Sequence, residues 1–176
     1  TEMLQALCAR PGKAPAPVRM MLANDELRVV LVTIHQSLRR AIEGVSFDAV
    51  LDTLRIVQRS AASFGRSVPR IGVAGLNPHA GEGGAMGWED ERMIRPLVAR
   101  LKAEGLDVTG PWPADTMFHA AARKGYDVAV CAYHDQALIP IKTIDFHGGI
   151  NVSLGLPFIR TSPDHGTALG IAGKGL

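Results

Sequence analysis

Two short runs, RIGVAGL at 70–76 and DVAVCAY at 127–133, are almost wholly apolar, and they constrain this chain more than any other feature. Each reads as a short strand buried on both faces, the kind found in sheets covered by helices above and below. Such a sheet needs helices alternating with the strands along the chain. The sequence supplies them. Ser46 stands as an N-cap before FDAVLDTLRIVQRSAASF, whose apolar residues at 47, 50, 51, 54 and 57 trace one helical face, and Gly65 is the left-handed stop. WEDERMIRPLVARLKAEG predicts a long helix, acidic in its first turn and basic later, that ends at Gly105. QSLRRAIEGV predicts a short helix ending at Gly44. TMFHAAARKG predicts another, and DHGTALGIAG opens a last one.

Further strands are expected at LDVTG and at GINVSLGLP (149–157), and VRMMLANDELRVVLVT reads as a β-hairpin turning at Asn24-Asp25-Glu26. The expected fold is an α/β sandwich with a largely parallel sheet, decorated by that hairpin. A chain of 176 residues, 47% hydrophobic and 20% charged, has enough apolar material for one sizeable core. The formal charge of +2, with no basic run, argues against a nucleic-acid partner. No apolar stretch approaches the roughly 18 residues that span a bilayer. The two cysteines, Cys8 and Cys131, show no CxxC spacing, and Cys131 reads as a buried reduced thiol, which fits a cytoplasmic location. The chain starts at Thr1 without a methionine and stops at AGKGL, so a piece of a longer protein is expected.

Three of the six histidines share one setting. His35 follows VVLVT, His79 follows RIGVAGL, and His134 follows DVAVCAY directly. In open α/β sheets ligands bind beyond the carboxyl ends of the strands, so these three are candidates for one site. Their separations of 44 and 55 residues form no local metal motif, and each could simply end a strand. His119 falls within a predicted helix, whereas His147 and His165 lie in glycine-containing loops. The loop around His79, GLNPHAGEGG, is no Walker A sequence, because no Lys-Ser/Thr follows. Nor is it a dinucleotide fingerprint, since Met86 stands where the third glycine belongs. Downstream, Lys142, Asn151 and Arg160 place two cations and an amide about nine residues apart, suited to phosphate or carboxylate. Asp115 either caps a helix or joins the chemistry. Asp135 and Asp164, each beside a histidine, either orient an imidazole or begin helices.

GLNPHAGEGG, PADT, YHDQ and GINVSLGLPFIRTSPDHGTA, in that order and with the hairpin and His35 upstream, resemble the 4-hydroxythreonine-4-phosphate dehydrogenase family of vitamin B6 biosynthesis. The resemblance runs end to end and covers about the second half of such a protein. It implies a three-layer α/β/α fold of the isocitrate/isopropylmalate dehydrogenase type. Residues 1–150 would form a metal-binding and dimerisation domain, and 151–176 a segment returning towards the cofactor domain. It implies a homodimer with an active site shared between subunits, and a divalent metal on His35, His79 and His134. Zinc is the first expectation, with magnesium, manganese or cobalt as alternatives. Substrate contacts fall on Thr1, Lys142, Asn151 and Arg160, although the histidine that precedes this threonine in the family is absent here. Lys142 and Asp115 take catalytic places. The implied reaction is NAD- (or NADP-) dependent oxidation and decarboxylation of 4-phosphohydroxy-L-threonine. Two other readings stay open: a paralogue acting on threonate or erythronate 4-phosphate, and an inactive metal-binding and dimerisation module.

Overall fold

The computed structural model describes residues 2–9, 12, 14–164 and 169–175. After helix α1 (Glu2–Leu7) the chain enters the hairpin formed by β1 (Arg19–Ala23) and β2 (Arg28–Leu31). Asn24 closes the turn as its position suggested: its Oδ1 accepts from the backbone N–H groups of Glu26 and Leu27 at 3.0 and 2.8 Å. Helices α2 (Leu38–Gly44) and α3 (Phe47–Ser60) follow, the latter capped by Ser46, whose hydroxyl accepts from Ala49 N–H. Gly65 then stops the helical segment at φ 77°. Strand β3 (Ile71–Ala74), helix α4 (Arg95–Ala103), β4 (Val108–Trp112), the short helices α5 (Ala114–Met117) and α6 (Ala120–Arg123), β5 (Val128–Cys131), α7 (His134–Ile144), β6 (Ile150–Leu154) and β7 (Thr161–Pro163) complete the described chain.

The strands form one seven-stranded sheet in the order β4-β3-β5-β2-β1-β6-β7. Its two faces carry separate apolar cores because side chains alternate along each strand. On one face Leu54, Val57, Leu97 and Leu101 of α3 and α4 pack against Val30, Val73 and Val130. On the other, Met117, Ala137 and Ile141 of α5 and α7 cover Val29, Leu31 and Cys131. The result is three layers, helices above and below a sheet. Burial pushes the Cys131 thiol well above its ordinary pKa, so it stays protonated inside the second core.

Four expectations need correction. The sheet is parallel only across β4-β3-β5-β2; β2-β1, β1-β6 and β6-β7 are antiparallel. The hairpin causes this: it reverses chain direction at β1, and β6 and β7 are added beyond it. The helix expected from Trp88 opens instead as a π-helical turn (Asp90–Ile94), and α4 proper begins only at Arg95. Pro96, in the first turn of α4, has no N–H with which to continue an i→i−4 ladder backwards. The helix expected over TMFHAAARKG is split into α5 and α6, and His119 stands at the N-cap of α6, its ring nitrogen accepting from Ala122 N–H at 3.4 Å. In DHGTALGIAG, residues 165–168 lie outside the described residues, and 169–175 form turns. Ile150 and Asn151, on either side of the division expected between 1–150 and 151–176, are consecutive in β6, which pairs with β1 along its whole length.

Asp127, buried at the entry to β5, ties the sheet to its surroundings. Its carboxylate accepts from the backbone N–H, Nε and Nη2 of Arg70, and Arg66 approaches to 2.9 Å. The hydrogen bonds from Arg70 hold this carboxyl below the usual aspartate range despite its burial. A depressed native pKa gives stability that is fully present above the ordinary aspartate value and is lost as pH falls through the native value. Asp127→Asn is therefore expected to cost about 2 kcal/mol at neutral pH. Urea titrations from pH 7 down to pH 2 should also show that the variant loses less stability on acidification than the wild type.

Candidate active site at the carboxyl edge of the sheet

Strands β2, β5 and β3 are neighbours and run parallel, so their carboxyl ends meet at one edge. His35, His134 and His79 follow those three ends in turn, with His134 on the middle strand. Beyond the regular ladder the ends are tied by side chains. Thr33 donates through its hydroxyl to Ala132 O at 2.7 Å, and Gln136 donates through Nε2 to Gly75 O at 2.7 Å. The His35 and His134 rings lie 5.5 Å apart between centroids, tilted by 49°. They line a cleft of 280 Å³ together with Tyr133, Asp135 and Gln36. Asp135 Oδ1 sits 2.7 Å from His134 Nδ1. With the proton on Nδ1, that contact leaves Nε2 with a free lone pair. Asp135 thus orients an imidazole while standing in the first turn of α7.

The loop that carries His79 has an unusual backbone. His79, Ala80, Gly81, Glu82 and Gly83 are all left-handed, with φ between 41° and 81°. Three of them are not glycine, and each such residue is strained by roughly 1–2 kcal/mol. The conformation is held from below by Asp90. Its fully buried carboxylate accepts from the N–H groups of Leu76 and Asn77 at 2.7 and 2.9 Å, and from the Asn77 side-chain amide at 3.0 Å. Gly81 fits because a Cβ there would lie 2.9 Å from Gly87 O. His79 itself is exposed at the top of this turn. The glycines serve tight backbone geometry beside the histidine, as the sequence suggested.

Two imidazoles sharing one tetrahedral ion have ring centroids about 5.3 Å apart, given metal–nitrogen distances near 2.1 Å. The His35–His134 centroid separation is close to that spacing, and the exposed His79 stands in the loop after the next strand, β3. Among the described residues, no group of three His, Cys, Asp or Glu is gathered closely enough to hold a metal. The chain thus places two of the three candidate histidines together, and the third on a neighbouring loop.

Four of the remaining candidates form two pairs. Lys142, in the last turn of α7, is bound by Asp164 at 2.6 Å and lies 5.2 Å from the centre of the Phe146 ring. Arg160 Nη1 reaches Asn151 Oδ1 at 3.5 Å across the β6–β7 hairpin. Asp115 does not cap α5, whose N-cap is Pro113; it is exposed and shares a second cleft with Asp135, Tyr133 and Gln136. His147 donates its backbone N–H to Asp145, and its ring packs edge-on to Phe146. Thr1 and His165 lie outside the described residues. Sequence reading missed Thr33, Asp90 and Gln136. The only signal for Gln136 was its place in YHDQ, and Asp90 resembled any acidic residue in a helical first turn.

The architecture is a three-layer α/β/α fold of the isocitrate dehydrogenase type. The whole chain, residues 1–176, matches the family model described as pyridoxal phosphate biosynthetic protein PdxA, and the chain belongs to that family. It is 56% identical over 178 residues to a 4-hydroxythreonine-4-phosphate dehydrogenase of Maricaulis maris, covering all of this chain and 52% of that protein. It is 57% identical to the enzyme of that name from Bradyrhizobium diazoefficiens, covering 99% of this chain and 51% of the relative. The chain therefore spans about half the length of these relatives. Among solved structures, a 4-hydroxythreonine-4-phosphate dehydrogenase from Klebsiella pneumoniae superimposes with a TM-score of 0.84 at 40% identity, covering 97% of this chain and 50% of that one. A terephthalate 1,2-cis-dihydrodiol dehydrogenase from Burkholderia xenovorans superimposes with a TM-score of 0.80 at 30% identity, covering 98% and 54%.

The loop geometry yields a direct expectation. Gly81→Ala should destabilise the protein by about 2 kcal/mol, combining a left-handed backbone with a close approach to Gly87. Urea melts at neutral pH would measure it. Gly65→Ala, also at a positive φ but with open space around its Cβ, is the control and should cost less.

Proposed function

We propose that this chain carries the metal-binding half of a 4-hydroxythreonine-4-phosphate dehydrogenase. On this reading the enzyme performs NAD- or NADP-dependent oxidation and decarboxylation of 4-phosphohydroxy-L-threonine in pyridoxal phosphate biosynthesis. The observation that carries the reading is the His35–His134 pair at the carboxyl edge of the parallel strands, with His79 on the next strand end. Family membership and the names of the relatives support it.

In this reading His35, His79 and His134 hold a divalent ion. The all-nitrogen donor set favours zinc or cobalt over magnesium or manganese. A bound ion would draw charge from the substrate oxygen at the oxidised carbon, and the nicotinamide would take the hydride. The chain's own residues bind the substrate and move protons. Arg160 and Asn151 together offer donors to phosphate or carboxylate, and Thr1 is a further substrate contact. Lys142 exchanges Asp164 for a substrate anion, and its half-buried Nζ is then placed to assist proton transfer. Asp115, exposed beside Asp135, is the second group for proton transfer. Residues 1–150 serve metal binding and dimerisation, and 151–176 lead towards the cofactor domain. The working enzyme is a cytoplasmic homodimer whose subunits share each active site. Among the described residues no helix is long and apolar enough to cross a membrane.

A second reading is a paralogue that oxidises threonate or erythronate 4-phosphate. It is favoured by the polar groups themselves, since Lys142 and Arg160 suit the phosphate and carboxylate that both kinds of substrate carry. The dihydrodiol dehydrogenase neighbour also shares this half of the fold under a different name.

Metal analysis of protein purified without chelators tests the first part: about one ion per chain is expected in the wild type and far less in His79→Ala, whose two remaining histidines hold the ion too weakly to keep it through purification. A wild type without metal, even with substrate present, would sink the reading. Lys142→Met should lower kcat about 100-fold, as loss of a general acid or base does. A rise in KM alone would reduce Lys142 to a binding role. Turnover of 4-phosphohydroxy-L-threonine against the two sugar-acid phosphates then separates the two substrates' readings.

A further inference from the structure

The peptide groups that join β3 to the His79 loop are held from two sides. From one side, Gln136 is buried, donating through Nε2 to Gly75 O at 2.7 Å and accepting through Oε1 from Ala132 N–H at 2.7 Å. From the other, the Asp90 carboxylate takes the next two backbone N–H groups, of Leu76 and Asn77. Gln136 stands two residues after His134, and Gly75 four residues before His79. The regular ladder between β3 and β5 pairs Ile71–Val73 with Val128–Val130 and goes no further. Gln136 continues the connection past the point where the strands end.

The bond pattern demands a side chain of this length with one donor and one acceptor. A glutamate would turn a carboxylate towards the Gly75 carbonyl. A methionine would leave both backbone groups buried and unpaired.

We propose that Gln136 is a positioning residue of the metal centre. Through Gly75 it sets the span between the His134 end of α7 and the His79 loop, and so sets the affinity of the centre for its ion. Asp90 stiffens the other side of the same peptides, so the position fixed at Gly75 is carried on to His79. This rests on the metal-centre reading above.

The test is titration of the purified protein with cobalt(II), followed by calorimetry and by visible d–d absorption, beside thermal melting without metal. Gln136→Glu and Gln136→Met are expected to weaken cobalt binding about 10–100-fold and to change the d–d band, while a native melting transition is retained. In a His79→Ala background the same substitutions should weaken the residual binding by less than about threefold, because the loop they misplace no longer carries a ligand. Unchanged cobalt affinity in the folded variants overturns the inference. So does a full effect that persists without His79, or loss of the melting transition in both variants, which would make Gln136 a brace of the fold alone. A wild type that binds no cobalt is a different result: it removes the metal-centre reading itself, and this inference with it.

Discussion

The candidate site depends on how three parallel strand ends are kept together after their ladder stops. Backbone pairing aligns β2, β5 and β3, but the histidines lie beyond it, where each chain turns away. Thr33 on one side of β5 and Gln136 on the other bond to the same residue, Ala132, one at its carbonyl and one at its N–H. Ala132 is thus the hub from which the spacing of all three ends is set. Both bonds are buried, where an unmade partner is expensive, so the arrangement is both firm and specific.

Much of this was legible in the sequence because local rules and burial agree. Ser46, Gly65 and Asn24 do what their side chains favour anywhere, and the structure has no competing demand on them. RIGVAGL and DVAVCAY read as strands buried on both faces and lie inside the sheet as β3 and β5, and the placing of three histidines after strands survived into three dimensions. The parallel character of the sheet was overestimated because pairing partners are a long-range matter. Nothing near β6 states that it will lie antiparallel to β1, some 130 residues earlier. Strand β7 escaped notice since three residues ending in proline carry no period. Asp90 and Gln136 escaped for another reason: their roles lie in bonds to backbone groups, and those partners leave no trace in side-chain pattern.

The strain in the His79 loop and the burial of Asp90 belong to one mechanism. A left-handed run containing three non-glycine residues persists only where surrounding contacts outweigh its strain. Here a carboxylate removed from water gains three hydrogen bonds at the foot of the loop.

The two outermost strands of the described sheet share one trait: β4 contains Pro111 and β7 ends in Pro163. A proline on a rim removes one N–H from the row that another chain would need in order to extend the sheet. At β7 the alternation that turns the backbone of Arg160 and Asp164 towards β6 turns Pro163 outward, so this rim of the described sheet offers no unbroken row for strand addition. The apolar strands at the centre are sealed by helices, and the β7 rim is blunted by proline, which guards a strongly β-forming sequence against growing from that edge into aggregates.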